Sequence, residues 1–214
     1  MIDDYDVEVR LLALTGLAAE TQRKPGTQKI PDSEEIIEYS GRLCWDTTEK
    51  LGTNPERIQE WIQMGHESVI EHASATFYIR ASRAFTHELV RHRLASYSQR
   101  SQRYVNESKP RYIKPPEVKT ELAEQDSERI FEEAMRNSWL AYSKLLTLGI
   151  KREIARYVLP NACETQIVMT MNFRELRHFI NLRTSNRALP EMRAVAGEIR
   201  RIMKKQAPKV FEDL

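Results

Sequence analysis

The chain has 214 residues, of which 41% are hydrophobic and 30% are charged, and its formal net charge is only +2. This composition is typical of a globular protein and excludes a disordered chain or a polycation. No apolar run is long enough to span a membrane, and the acidic start, residues 1–6, lacks the apolar segment of a secretory signal. Two cysteines, Cys44 and Cys163, are too few for a disulfide framework or a metal-binding cluster. We therefore expect one cytoplasmic domain over residues 1–214, without a metal site.

The first third of the chain predicts one strand and two helices. Apolar and polar residues alternate over 7–11, which predicts a strand ending near Gly16. The Pro- and Gly-containing residues 21–31 predict a loop. A helix is expected to begin at the capping residue Asp32, and a second one to run over 54–65.

The middle of the chain contains the clearest strand pattern, over residues 73–80. A helix over about 83–92 is predicted to follow. After it we expect an irregular polar stretch and then a proline-containing loop over residues 110–116.

The last part of the chain is predicted to be mainly helical. A long helix is expected over about 127–149 and a short one over 152–159, with a strand over 167–171. Asn172 is expected to cap a helix that ends near Arg183, and a last helix is predicted over 190–206.

The order of these elements predicts the fold class. The strands are scattered among long helices, without regular βαβ alternation and without a Gly-rich phosphate-binding loop. We therefore predict an α+β fold, with an antiparallel-type sheet packed against several long helices and no Rossmann motif.

Arginine is concentrated in one part of the sequence. Residues 80–103 contain one acid, Glu88, no lysine, and six arginines, for a local charge of about +5: Arg80, Arg83, Arg91, Arg93, Arg100 and Arg103. Guanidinium groups make planar, bidentate contacts to phosphates and nucleobase edges, so the block indicates an anion site. A solvated basic turn is the simpler interpretation.

Arg91 and Arg93 cannot share a ligand while both are helical, because residues two apart point in nearly opposite directions. Either they serve two ligands, or the helix is ending and the side chains fan out around one pocket. Arg174 and His178 are four apart on a predicted helix and are expected to line a common wall. Arg174 lies in the first helical turn, where a cation is unfavourable unless an anion is near.

Three separated motifs resemble the flavin-dependent thymidylate synthases. They are Arg91-His92-Arg93 with Ser101 after seven further residues, the segment Gly65 to His72, and the pair Asn172-Phe173-Arg174 and Asn181-Leu182-Arg183. The resemblance covers roughly residues 34–200, and its central motif is highly specific. Glu88, Arg187 and residues 188–191 depart from the usual pattern of that family.

The resemblance implies a homotetramer whose active sites are shared between subunits. It implies FAD contacts by Ser68, Arg91, His92, Arg93, Gln99, Asn172, Phe173, Arg174 and His178. It implies dUMP contacts by Glu88, Leu89, Val90, Arg91, Gln99, Arg100, Ser101, Gln102, Arg103, Arg156 and Arg183. Gln99 would lie where the two ligands meet, and His66 would lie near the flavin and the folate.

The reaction implied is the reductive methylation of dUMP to dTMP. Methylenetetrahydrofolate would donate the carbon, and FAD reduced by NADPH would carry the hydride. Arg183 would be the catalytic residue that polarises the uracil. Neither cysteine has an evident base beside it, and free cysteine is normally a small core residue, so no cysteine nucleophile is expected. Ser101 is interpreted as a hydroxyl that positions the substrate.

Two other functions remain open on sequence grounds. Arginines interleaved with Tyr97 and Tyr104 could bind single-stranded nucleic acid, although the low net charge and compact arginine block count against it. A flavoprotein of the same scaffold could also act on another substrate.

Overall fold

The computed structural model describes residues 5–18, 32–54, 56–119 and 126–214. Its strands are β1 (Glu8–Leu14), β2 (Ser74–Ser82), β3 (Ala95–Gln99) and β4 (Glu164–Asn172). They form one antiparallel sheet in the order β1-β2-β4-β3. The predicted α+β class with an antiparallel sheet is confirmed.

Helices make up most of the remaining regular structure. The α-helices are α1 (Asp32–Leu43), α2 (Arg57–Gln63), α3 (Arg83–Leu89), α4 (Ser127–Thr147), α5 (Arg152–Ala155), α6 (Phe173–Arg183), α7 (Pro190–Gln206) and α8 (Pro208–Phe211). Short 3-10 turns span Thr48–Lys50, Glu67–His72, Pro116–Lys119 and Arg156–Val158. Among the described residues, no helix has both the length and the apolar character needed to cross a membrane.

The two central strands supply the middle of the hydrophobic core. In β2 and β4 every second residue is buried, because side chains alternate between the two faces of a strand. The register pairs Phe77 with Met169 and Ile79 with Ile167. Helices α6 and α7 cover this apolar face, with Phe179 and Val195 fully buried. The strands predicted over 73–80 and 167–171 are therefore confirmed.

The predicted irregular stretch after α3 is wrong, because residues 95–99 form β3. This strand pairs with β4, with Ala95 opposite Met171 and Gln99 opposite Ile167. Ala95 and Tyr97 pack against the core, whereas Ser96 and Ser98 are exposed. The helix predicted over 83–92 is also shorter, since α3 ends at Leu89. The loop predicted over 21–31 lies outside the described residues.

Helix α4 anchors the segment that follows β3. Trp139 and Cys163 belong to a second, smaller buried cluster. The indole Nε1 of Trp139 donates to the backbone oxygen of Glu107 over 2.7 Å, and the Glu107 N–H donates to the Tyr142 hydroxyl over 3.2 Å. These two bonds hold the chain after β3 against α4.

Candidate active site

The ends of α3 and α6 bring three of the predicted site residues together. Arg183 donates from Nε to Nε2 of His92 over 3.0 Å, and from one terminal nitrogen to Glu88 over 3.1 Å. His92 is only 5% exposed. His92 and Glu88 lie 91 and 95 positions from Arg183 in the sequence, so the fold and not local structure brings the three together.

The hydrogen bonds of His92 define its protonation. A guanidinium can only donate, so Nε2 of His92 must be the acceptor, and the proton of the neutral ring lies on Nδ1. Nδ1 lies 3.3 Å from a carboxylate oxygen of Glu175. Burial is the main cause that lowers the pKa of His92, and the Arg183 charge lowers it further, whereas Glu175 acts in the opposite direction. His92 is therefore a neutral imidazole near neutral pH.

A surface cavity of roughly 410 Å³ opens beside His92. It is lined by Arg91, His92, Arg93, Leu94, Glu175, His178, Leu182 and Arg183. Because α3 ends at Leu89, Arg91 and Arg93 follow it outside the helix and reach the same cavity. The sequence left open whether Arg91 and Arg93 serve two ligands or lie around one pocket at the end of a helix. The structure has the second arrangement.

The charges of this cavity favour an anion. Arg91 and Arg93 are exposed, and neither has an ion pair within the described ranges. Donor atoms of His92, Glu175 and His178 lie within 4.8 Å of one another. Both ring nitrogens of His92 are already engaged by Arg183 and Glu175, and the guanidinium would repel a metal ion. The cavity therefore suits a phosphate or diphosphate better than a cation.

The end of β3 and the residues after it form a second cluster, near the start of α3. Gln99 donates to the hydroxyls of Thr86 and Thr165, over 3.0 and 3.2 Å. Arg100 bonds to Glu107, and Arg103 bonds to Glu153 over 3.0 Å. Further members of this cluster are the buried Gln102 and the half-buried Ser101. Three of the predicted dUMP-binding residues, Gln99, Arg100 and Arg103, are thus held in place by contacts within the protein.

Arg156 and Arg83 complete the second cluster. Nε of Arg156 donates to the backbone oxygen of Glu153 over 3.3 Å. The Arg83 side chain is half-buried and, within the described part of the chain, has no hydrogen bond or ion pair. Burial is the main cause that lowers the pKa of Arg83, and the Arg156 charge lowers it further, whereas Cys163 and Glu107 act in the opposite direction. Two close guanidinium groups, one without a partner, mark a place for an anion.

The two clusters lie at opposite ends of α3. Arg83 begins this helix, and Glu88 is in its last turn before Arg91. A seven-residue helix is about 10 Å long at 1.5 Å per residue. The predicted dUMP-binding residues therefore form two groups separated by the length of one short helix. Leu89, which follows Glu88 at the end of α3, is fully buried, whereas Val90 is exposed.

The predicted FAD-binding motif at the start of α6 is only partly gathered at the cavity. The Asn172 side chain caps α6 by accepting from the Glu175 N–H over 2.9 Å. Phe173 is fully buried and packs on Phe211, so its side chain cannot reach a ligand. His178 lines the cavity.

The wall predicted to join Arg174 and His178 does not form. Arg174 is absent from the cavity lining and pairs with Glu71 over 2.6 Å and with Glu67 over 3.4 Å. These acids supply the anion that the first turn of α6 was expected to need beside Arg174. Glu67 and Glu71 belong to the 3-10 turn Glu67–His72. Ser68 lies in this turn and His66 directly precedes it, and both are exposed.

Glu175 and Arg83 were missed as site residues in the sequence. Arg83 was one of the six clustered arginines, and its position at the start of a helix gave no sign of partial burial. Glu175 followed a capping asparagine, which suggested only a helix start. Their surroundings come from contacts distant in sequence.

Comparisons with known proteins agree with the motifs. The family model described as "Thymidylate synthase complementing protein" matches residues 27–209. A protein of Geobacter sulfurreducens is 44% identical over 198 residues, which cover 87% of this chain and 84% of its own. A protein of Clostridium tetani is 41% identical over 85% of this chain and 82% of its own. One of Mycobacterium tuberculosis is 39% identical over 100% of this chain and 92% of its own. All three are named "Flavin-dependent thymidylate synthase".

Proposed function

This chain belongs to the thymidylate synthase complementing protein family, and we propose that it catalyses flavin-dependent synthesis of dTMP from dUMP. The names of relatives at 39–44% identity support this activity. The single structural observation that carries it is the cavity where Arg91, Arg93 and Arg183 converge on the neutral His92. Guanidinium groups around one pocket provide the donors that a nucleotide and a dinucleotide cofactor need.

The residues around the cavity fit FAD. Arg91 and Arg93 are free to contact a diphosphate, and His178 and Leu182 offer a partly apolar wall. Bound there, reduced FAD would supply the hydride that converts the methylene group from methylenetetrahydrofolate into the methyl group of dTMP. NADPH is the proposed reductant. Ser68, Asn172 and Arg174 are proposed as further FAD contacts, with His66 near the folate.

Arg183 is the proposed catalytic residue. Its Nε is held by His92 and one terminal nitrogen by Glu88, which leaves its second terminal nitrogen available for substrate. A fixed guanidinium beside uracil would stabilise negative charge on the ring and so increase electron density at carbon 5. The proton at carbon 5 is lost when the new carbon–carbon bond replaces the carbon–hydrogen bond.

Neither cysteine is activated as a nucleophile. Cys163 is buried, and burial raises the pKa of its thiol to about 11. Cys44 is exposed, in contrast to the predicted core position, and its Sγ lies 3.4 Å from the backbone oxygen of Ser40. The Ser101 hydroxyl accepts from the Arg103 N–H over 3.2 Å, which agrees with a positioning role. These surroundings support a mechanism without a cysteine adduct.

A homotetramer with shared sites is also proposed. Large apolar side chains next to both clusters are exposed, including Leu94 at 71%, Tyr104 at 72% and Tyr157 at 80%. Exposed apolar surface beside a polar site is typical of a contact with another subunit. Each site would then combine Glu88, Arg91 and Arg183 of one subunit with the cluster after β3 of another. Mixing inactive Arg183→Ala and Arg156→Ala subunits would then restore part of the activity.

The test of the proposed function uses the purified protein. We expect a flavin absorbance band at roughly 450 nm, and tritium release from dUMP labelled at carbon 5 when NADPH and methylenetetrahydrofolate are added. A colourless protein that does not take up FAD would contradict the proposal. A yellow protein without tritium release would indicate a flavoenzyme with another substrate.

A further inference from the structure

Glu175 is a partly buried carboxylate in the wall of the cavity. Its side chain is 13% exposed, and its oxygen lies 3.3 Å from Nδ1 of His92. The cap by Asn172 fixes its backbone, because the Glu175 N–H donates to the Asn172 side chain over 2.9 Å. A carboxylate in a pocket suited to anions requires a specific reason.

The ring of His92 is held on several sides. The edge of Phe179 packs against it at a centroid distance of 5.0 Å. The Tyr97 hydroxyl donates to the backbone oxygen of His92 over 2.9 Å, so the backbone at this residue is fixed as well. With the position of the His92 ring fixed, its remaining freedom is the location of its proton.

The same bond and the partial burial of Tyr97 also make Tyr97 a poor platform for a stacked nucleobase.

We propose that Glu175 is a positioning residue: its carboxylate holds the proton of His92 on Nδ1, and the free Nε2 in turn holds Arg183 at the cavity. The role assigned to Arg183 rests on the proposed function. The hydrogen-bonded chain Glu175–His92–Arg183 is shown by its distances of 3.3 and 3.0 Å. A carboxylate that orients a histidine through its second nitrogen is a common device in active sites.

Loss of Glu175 would have a defined consequence. The His92 ring could then carry its proton on Nε2, where the N–H would face the N–H of Arg183 and the guanidinium would be released. The charged or titratable groups that act on His92 are Glu175, Arg183 and His178. Arg91 and Arg93 line the same cavity, and Glu88 pairs with Arg183. Since Glu175 raises the pKa of His92 against the effect of burial, its removal would lower that pKa further.

The proton position can be measured without any reaction. Nitrogen-15 NMR of protein labelled at histidine separates the two neutral tautomers of a ring. We expect the Nδ1–H form of His92 in the unmodified protein and in Glu175→Gln, since an amide oxygen also accepts from Nδ1–H. In Glu175→Ala we expect the Nε2–H form to appear. Glu198→Gln, which alters a partly exposed acid paired with Arg201, is the matched control.

The rate of dTMP formation gives a second readout. Glu175→Ala should lose about tenfold, the size found when a group that orients a histidine is removed, while Glu175→Gln should stay within about threefold. Protonated His92 would donate at Nε2, so activity falls at acidic pH, and this limb should move to lower pH in Glu175→Ala. A merely structural role would reduce the rate equally at all pH values.

Two results would overturn the proposal. One is an unchanged Nδ1–H tautomer in Glu175→Ala, and the other is an equal loss of rate in both variants with no shift of the acid limb. If the unmodified protein makes no dTMP, the proposed function fails, while the NMR spectra still decide whether Glu175 sets the tautomer.

Discussion

Arg183 and Glu88 form an ion pair that ties the end of α6 to the last turn of α3. A terminal nitrogen of Arg183 donates to a Glu88 oxygen over 3.1 Å, and the Arg183 side chain is only 17% exposed. Glu88 is one of the residues expected to depart from the family pattern, and a carboxylate beside a nucleotide phosphate would be unfavourable. Its cationic partner offsets this repulsion and keeps Arg183 in place.

Replacement of Glu88 separates its charge from its role as an acceptor. Glu88→Gln keeps an oxygen for Arg183 and removes a negative charge, so we expect the dUMP affinity to rise or stay unchanged and the rate to remain within a fewfold. Glu88→Leu removes the acceptor, and its rate should fall about tenfold. A half-exposed pair of this kind contributes about 1 kcal/mol or less, so the melting temperature should change little. A Gln variant as inactive as Arg183→Ala would contradict this role.

The central strands could be predicted from sequence because both of their faces carry a clear pattern. Phe77 and Ile79 alternate with polar residues, and burial on one face of the sheet explains the alternation. Strand β3 could not be predicted in the same way. It is an edge strand of five residues in which Ala95 and Tyr97 are the only apolar ones, so its pattern resembles a loop.

The candidate site could be predicted as a set of motifs but not as an arrangement. The Arg91-His92-Arg93 motif and Arg183 do meet, as expected from the resemblance. The contact of Glu175 with His92 joins residues 83 apart, and nothing in the local sequence distinguishes it from a helix-start acid. Arg174 was expected to line a common wall with His178, but its side chain pairs with Glu71, a contact that is distant in sequence.

The two cysteines provide the sharpest test of the chemistry. Cys44→Ala and Cys163→Ala, and the double variant, should form dTMP within about twofold of the unmodified rate, because the proposed mechanism uses neither thiol. Arg183→Ala should remain yellow and lose the activity, which makes it the matched comparison. The measurement is dTMP formation with the flavin content determined in the same sample. A folded, flavin-loaded double cysteine variant without activity would require a cysteine nucleophile.

Replacement of Arg83 by methionine should change the stability of the protein and its affinity for dUMP in opposite directions. Its half-buried charge lies near Arg156, and within the described ranges Arg83 makes no hydrogen bond or ion pair that would offset its burial, so Arg83→Met should raise the melting temperature of the free protein. We propose that the dUMP phosphate is the anion beside Arg83 and Arg156, so the same change should weaken dUMP binding about tenfold through loss of a charge-assisted bond.

The measurement for Arg83 is the melting temperature with and without dUMP. The rise in melting temperature on adding dUMP should shrink in Arg83→Met, since ligand stabilisation follows affinity. Arg201→Met, at an exposed arginine paired with Glu198, should leave that rise unchanged. An unchanged response in Arg83→Met would exclude contact between Arg83 and the nucleotide.

The pH dependence of stability should reveal the buried Glu34. One of its oxygens accepts from the Lys209 N–H over 2.7 Å, and the other is buried without a hydrogen-bond partner among the described residues. Burial raises the pKa of Glu34 from 4.5 to about 7, against the smaller effect of Lys209. The pKa of Glu34 is higher in the folded protein than in the unfolded chain. Protonated Glu34 therefore contributes stability that is complete below about pH 4.5 and is lost as the pH rises through 7.

Glu34→Gln removes this titration. The free energy of unfolding of the unmodified protein, minus that of Glu34→Gln, should therefore fall by about 3 kcal/mol between pH 4.5 and pH 8. Urea unfolding at both pH values measures the difference, and Glu198→Gln, at a partly exposed acid, should show no comparable change. If the difference between Glu34→Gln and the unmodified protein is the same at both pH values, Glu34 does not titrate in this window, and the partner missing from its second oxygen must be supplied in solution.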